Sequence, residues 1–241
     1  MYEEHRVFET PPRTCIVWRY MSFAKFAWLM AKESLFFSRL DQHDDLWEGL
    51  LPTNWNIEHK KYARFNNYIN CWHMNDNESD PMWKLYGNSA GEAVAIRTTV
   101  GGLIKSLEKT GIPVYIGKIK YEEPDRPADN LYWSVIYKRK PFRHEKELRL
   151  CVHSPSSDNP PDLTNLRQAL TTLGIDNWSD VDLLKEIGDK GIPVSVDLNQ
   201  LIHEVVLCPN SKQVLFDSVR YIIKDRISHK RIVKSEIRSY I

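Results

Sequence analysis

The 241-residue sequence has no Gly-x-Gly-x-x-Gly and no Gly-x-x-x-x-Gly-Lys-[Ser/Thr] stretch. The glycine-rich phosphate cradles of dinucleotide-binding and P-loop folds are therefore excluded. It also lacks Gly-x-Ser-x-Gly, so nothing points to the strained serine of an α/β-hydrolase. Cysteine is sparse: Cys15, Cys71, Cys151 and Cys208 stand far apart and none forms Cys-x-x-Cys. That pattern argues against structural zinc and a disulfide framework, and predicts buried, reduced thiols in a cytoplasmic protein. No run approaches the about 18 apolar residues of a membrane span. No basic segment leads into an apolar core at the start, so a secretory signal and membrane association are not expected. Neither sign of charge dominates, with 33 Lys and Arg against 32 Asp and Glu. Any nucleic-acid contact must then be a local patch and not a global field.

What is present is a heavy aromatic load, with eight Trp and eleven Tyr, in an otherwise ordinary soluble composition. The patterning predicts strands at 14–20, 35–38, 68–72, 93–99, 112–121, 191–198 and 201–207, with a last one near the C-terminus. Ser22 is placed to cap a helix whose apolar face is Phe23, Phe26, Ala27 and Met30. Pro81 opens a short helix, a further one follows Thr99, and residues 216–224 form another. Residues 131–140 fit a helix or an extended segment equally. The expected fold class is α+β: a mixed, mostly antiparallel sheet flanked by helices. One domain, 1–241, is expected, with a Pro-rich loop and helical insert around 153–190.

Candidate chemistry is thinly spread. Asp41, His43, Asp44, Asp45 and Glu48 cluster in a turn-rich stretch, which reads as a solvated loop and not as a metal site, so no metal is expected. Cys71 and His73 flank Trp72, and the eight histidines are otherwise scattered. Trp83 and Tyr86 are three apart on a predicted helix and share a face. They read either as core or as a stacking wall for a flat ring. Glu145 and Glu147 lie two apart at the start of a predicted strand, which turns both carboxylates to one face. Their like charge is unfavourable unless something binds between them. They are either a charged strand face with Arg143, Lys146 and Arg149 as counterions, or a site.

In order, the chain carries Trp18-Arg19-Tyr20 then Ser22-Phe23, Leu35-Phe36-Phe37-Ser38-Arg39-Leu40-Asp41, Asp45-Leu46-Trp47-Glu48-Gly49, Cys71-Trp72, Met82-Trp83-Lys84-Leu85-Tyr86, a Gly91-to-Ile96 strand, and Phe142 with Glu145, Glu147, Arg149 and Leu150. Over roughly residues 16–210 this resembles an uncharacterised domain-of-unknown-function family of bacterial and phage-associated proteins. More loosely, the order of parts is similar to that of ADP-ribosyltransferases, although Arg19-Tyr20 stands where many carry His-Gly or His-x-Thr and no Ser-Thr-Ser occurs at 70–72. The resemblance implies an ADP-ribosyltransferase-like arrangement and NAD as substrate. It implies Glu147 and Glu145 as catalytic carboxylates, and Arg19, Tyr20, Ser38, Trp72, Trp83 and Tyr86 as residues binding the dinucleotide. It also implies a nucleic-acid or protein acceptor, or water as in an NAD glycohydrolase, and a toxin or antiphage effector with a defence-system partner. Two alternatives compete. One is a nuclease or nucleic-acid-binding module using Lys138-Arg139-Lys140, Arg143 and the aromatics. The other is a non-enzymatic ligand sensor or scaffold. On the transferase reading, Glu147→Gln is expected to abolish turnover with thermal stability nearly unchanged.

Overall fold

A computed structural model describes residues 1–43, 63–86, 91–122, 130–153, 190–227 and 229–237. The acidic positions Asp44, Asp45 and Glu48 and nearly all of the loop and helical insert expected around 153–190 lie outside the described residues. Among the described residues, nine strands form one sheet flanked by helices, an α+β architecture as the patterning predicts.

The β-branched and aromatic run Ile16–Ser22 forms β1, and its last residue caps α1 (Phe23–Lys32), the Ser22 hydroxyl accepting from the Lys25 amide. Phe26, Leu29 and Met30 bury one face of α1, at the spacing of three and four that a core-facing helix needs. Glu33 takes a left-handed conformation (φ 49°) that stops the helix and feeds β2 (Ser34–Arg39). Then follow β3 (Asn67–Met74), α2 (Asp80–Tyr86), β4 (Ala93–Thr99), α3 (Val100–Ser106), β5 (Tyr115–Lys118), α4 (Trp133–Ile136), β6 (Glu147–His153), β7 (Gly191–Ser195), α5 (Leu198–Leu201), β8 (Glu204–Leu207), α6 (Gln213–Ile223) and β9 (Arg231–Lys234). The undecided stretch at 131–140 contains the short helix α4.

The main strand order is β5-β6-β3-β1-β4-β8-β9, antiparallel except for the β8–β9 pair. The functional geometry comes from β3. One edge of β3 pairs with β6 from Asn67 to His73. Its other edge is shared: Ile69 and Tyr68 pair with β2, while His73 and Met74 pair with β1. The sheet forks there. Asn70, Cys71 and Trp72 have no strand partner on that edge, and a fork of this kind must satisfy its backbone groups with side chains or a ligand. Arg19 donates to the Cys71 carbonyl at 2.6 Å, and Asn70 donates to the Phe36 carbonyl at 2.8 Å.

β6 shows the period-2 logic behind the site. Leu148, Leu150 and Val152 join the larger hydrophobic core, with α1, α3 and α6 supplying Phe26, Leu103 and Val219. Glu147, Arg149 and Cys151 therefore face the opposite side. A smaller core lies there, built from Val7, Phe8, Val135 and Ile136 with Ile69 and Cys151. Gly117 on β5 pairs with Arg149, and a Cβ at Gly117 would stand 2.9 Å from the Phe8 Cα. The missing side chain is what lets the N-terminal segment close over this layer. All four cysteines are free, but only Cys151 and Cys208 are buried, and Cys15 and Cys71 are half-exposed. The expectation of uniformly buried thiols is corrected to that extent.

Candidate active site

The fork in the sheet opens into a cavity of about 230 Å³. It is lined from β1 by Arg19 and Tyr20, from β2 by Ser38, and from β3 by Asn70, Cys71, Trp72 and His73. The remaining walls come from Met82 and Tyr86 of α2, from Lys138 and Glu145, and from Glu147 and Arg149 of β6. Two larger depressions of about 680 and 570 Å³ lie elsewhere. They are more open, whereas the fork gathers the buried Glu145, Glu147, Arg149 and His73, and buried ionisable groups are the better mark of a site.

Glu145 and Glu147 do not share a strand as expected. Glu145 ends a 3-10 turn, Lys140–Glu145, and Lys146 adopts a left-handed conformation (φ 40°), so β6 begins only at Glu147. The carboxylates nonetheless converge, because a cation sits between them: the Lys138 ammonium is 2.7 Å from Glu145 and 3.4 Å from Glu147. Lys138 thereby removes the repulsion that the spacing implied. Arg149 adds a two-pronged clasp, with Nε 2.6 Å from Glu147 Oε1 and Nη2 3.1 Å from Oε2, while its Nη1 is held by the Val135 carbonyl at 2.8 Å. Glu147 is 3% exposed. Burial works against its ionisation, but Arg149 and Lys138 outweigh burial and hold the carboxyl down at about 2. The Cys71 thiol also donates to it. Glu147 is thus a permanently ionised carboxylate in a low-dielectric wall.

Arg19 is differently placed. It is half-buried, its guanidinium carbon lies 6.0 Å from the centroid of the Trp72 ring, and it has no carboxylate partner among the described residues. A desolvated guanidinium without a counter-charge inside a cavity is a ready anion site. Tyr20 lines the cavity and its hydroxyl accepts from the Ser79 amide at 2.9 Å. The Ser38 hydroxyl is 3.0 Å from His43 Nε2, and both residues face the cavity. Trp72 is buried, its indole N–H satisfied by Asn70 at 2.8 Å. Tyr86 is 48% exposed and lines the cavity, and desolvation pushes its phenol pKa up. Trp83 does not line the cavity. It is buried behind Tyr20 at 4.8 Å, edge to face, with its N–H on Glu78. For Trp83 the core reading of the Trp83–Tyr86 pair applies, and it is unavailable for stacking on a ligand.

Sequence reasoning passed over four lining residues: Lys138, assigned only to a basic surface segment, and Asn70, His43 and His73. Their signal is topological. The β3–β6 register sets His73 opposite Glu147 and Cys71 opposite Arg149, the Lys138 ammonium reaches both carboxylates, and His43 joins through Ser38 of β2. Among the described residues no group of three or more His, Cys, Asp or Glu is arranged to hold a metal ion, and no helix is long and apolar enough to cross a membrane.

No family model matches the sequence, and no curated protein matches it. Similar solved structures include Thermus sp. 2.9 DarT in complex with ADP-ribosylated ssDNA, at 10% identity and TM-score 0.44 over 95% of this chain and 98% of that one. The same protein in complex with NAD+ gives 10% identity and TM-score 0.43, covering 94% and 98%. Its complex with carba-NAD+ gives 11% identity and TM-score 0.39 over the same shares. These are distant likenesses, and the functional reading below rests on the geometry of the fork.

Proposed function

We propose that the protein cleaves NAD at the nicotinamide–ribose bond and passes the ADP-ribosyl group to an acceptor or to water. The observation that carries this is the fork itself: an ionised, buried Glu147 beside a second carboxylate, in the same cavity as an arginine without a counter-charge among the described residues. Cleaving that bond develops oxocarbenium character at the ribose, as glycoside cleavage does. A carboxylate fixed in a dry wall stabilises that positive charge without reorganising. Glu147 retains capacity for it. An ionised carboxylate has about four acceptor positions. Arg149 and Lys138 occupy three of them, and the weak thiol donor of Cys71 is the one a ribose hydroxyl would displace. Glu145, less tightly clasped, is placed to take the acceptor's proton. Arg19 binds a diphosphate oxygen, and Ser38, Tyr20, Trp72 and Tyr86 shape the walls.

A cavity of about 230 Å³ is smaller than the about 300–1,000 Å³ of typical ligand sites. It suits the nicotinamide–ribose end, with the adenosine lying outside it. The acceptor we favour is a nucleic acid. Arg139, Lys140, Arg143 and Lys146 are all exposed around the turn that ends at Glu145. This local basic rim beside the carboxylates suits a polyanion in a chain of near-zero net charge. Loss of cellular NAD or modification of nucleic acid would make the protein an effector of toxin or defence type.

The test is NAD consumption by the purified protein, alone and with DNA, RNA or lysate, read as nicotinamide release. Release is expected, and its absence in every condition would sink the proposal. Arg19→Gln removes a half-buried cation of the cavity that has no carboxylate partner among the described residues. It is expected to raise the KM for NAD about 10- to 100-fold, as loss of a charge-assisted hydrogen bond does, with little change for nicotinamide riboside, which has no phosphate. Equal effects on both substrates would remove the phosphate role.

A further inference from the structure

His73 is 3% exposed, lines the cavity, and stands opposite Glu147 on β6 and opposite Trp18 on β1. Its Nδ1 is 2.6 Å from the Glu145 backbone carbonyl. A carbonyl can only accept, so Nδ1 carries the ring's proton and Nε2 of the neutral imidazole is an acceptor. Nε2 is buried and has no hydrogen-bond partner among the described residues. Desolvation lowers the pKa of His73 against the opposing pull of the Glu145 carbonyl, with smaller contributions from Lys146 and His144, which favours the neutral ring near pH 7. Among the described residues, this buried lone pair is met by no group of the protein. Such an orphan is costly, and in a cavity wall it marks where a ligand donor belongs.

We propose that His73 Nε2 is the acceptor for the carboxamide N–H of a nicotinamide ring bound in the cavity, and so selects the amide over the acid. This rests on the NAD reading above and assigns it a specificity determinant. The placement fits the chemistry of the ligand. Tyr20 stands edge-on to His73 at 6.2 Å, and Trp18 stacks on Tyr20 at 6.1 Å, so the aromatic wall lies on the His73 side of the site. Glu147, the neighbour of His73 in the row across the sheet, takes the ribose. The carboxamide is the donor-bearing group on the ring side of the glycosidic bond. A carboxylate at that position has no N–H and turns its charge toward the lone pair.

Calorimetric titration with NAD and with nicotinic acid adenine dinucleotide tests this in wild type, His73→Leu and His73→Gln, each checked for folding by thermal melting. Wild type is expected to prefer NAD by about 10- to 100-fold. His73→Leu should bring the two ligands within about threefold, since its side chain offers no acceptor. His73→Gln, whose side-chain carbonyl can accept, should retain most of the preference. A wild-type ratio near unity, or an undiminished ratio in His73→Leu, overturns the assignment while leaving NAD as ligand. Wild-type protein that binds neither dinucleotide overturns the NAD reading itself, and the assignment with it.

Discussion

Glu147→Gln should lose NAD turnover by about 10³-fold, and it should also melt earlier. The first effect follows from removing a preorganised charge aimed at a developing cation, where single electrostatic groups are worth about 10²–10³ in rate. The second contradicts the expectation, drawn from the sequence, of unchanged stability. The 2.6 Å Arg149–Glu147 clasp is 1% and 4% exposed at its two side chains. Neutralising the acid strands a buried guanidinium, with Lys138 left to Glu145. The amide still accepts hydrogen bonds, so the cost is about 2–3 kcal/mol, or roughly 4–12 °C in Tm for a chain of this size. A variant that loses both fold and activity proves little, so the decisive comparison is Glu147→Asp. It keeps the charge beside Arg149 and Lys138 and withdraws it by one methylene. It should melt close to wild type and still lose about 10²-fold in turnover, the cost of misplacing a catalytic group by an ångström or so. Wild-type NAD consumption by Glu147→Asp would assign the residue to structure alone. Glu145→Gln should spare slow hydrolysis and depress transfer to an added acceptor, which separates the proton acceptor from the charge stabiliser.

Much of the architecture is legible in the sequence. Ser22 as a cap, β2 at Leu35–Ser38 and β4 at Ala93–Thr99 follow from local pattern, where propensity and burial agree. The site was legible by residue type and not by arrangement. Glu145 and Glu147 attract notice for a reason that fails, because the left-handed Lys146 breaks the strand between them. They converge for another reason, the Lys138 ammonium seven residues before Glu145. That cation was hidden in plain view because Lys138-Arg139-Lys140 reads as a solvated run. Only the folded chain shows that Lys138 alone turns inward, while its two neighbours remain exposed. From the sequence, a pairing of the Cys71 thiol with His73 is discounted on the ground that adjacent strand residues point to opposite faces. In fact Cys71 and His73, two apart, share the face that looks to β6's charged row. The fork that makes the cavity depends on β3 pairing two different strands along one edge, and no local pattern encodes which strands those are.

Arg149→Leu should be among the most destabilising substitutions in the protein, at about 3–5 kcal/mol, because it leaves the Glu147 carboxylate buried with a weak thiol donor and a 3.4 Å contact to a lysine already engaged with Glu145. Adding Glu147→Leu should recover most of that loss. A well-packed apolar pair costs less than a lone buried charge, and often no more than the ion pair it replaces. The double-mutant cycle therefore gives a large coupling energy even though the pair's net worth to stability is small. The pH dependence carries a definite sign. Folding holds the Glu147 carboxyl at about 2, below its usual 4.5, so its contribution is complete above about pH 4.5 and disappears as pH falls through 2. The gap in stability between wild type and Arg149→Leu should accordingly be widest near neutrality and narrow on acidification, measured by denaturant titration across that range. If the double variant is as stable as wild type but consumes no NAD, the clasp is there to hold a catalytic charge and not to hold the fold. If the single and double variants are equally unstable, Arg149 is acting through its bond to the Val135 carbonyl, and the carboxylate it was thought to hold is free to be replaced.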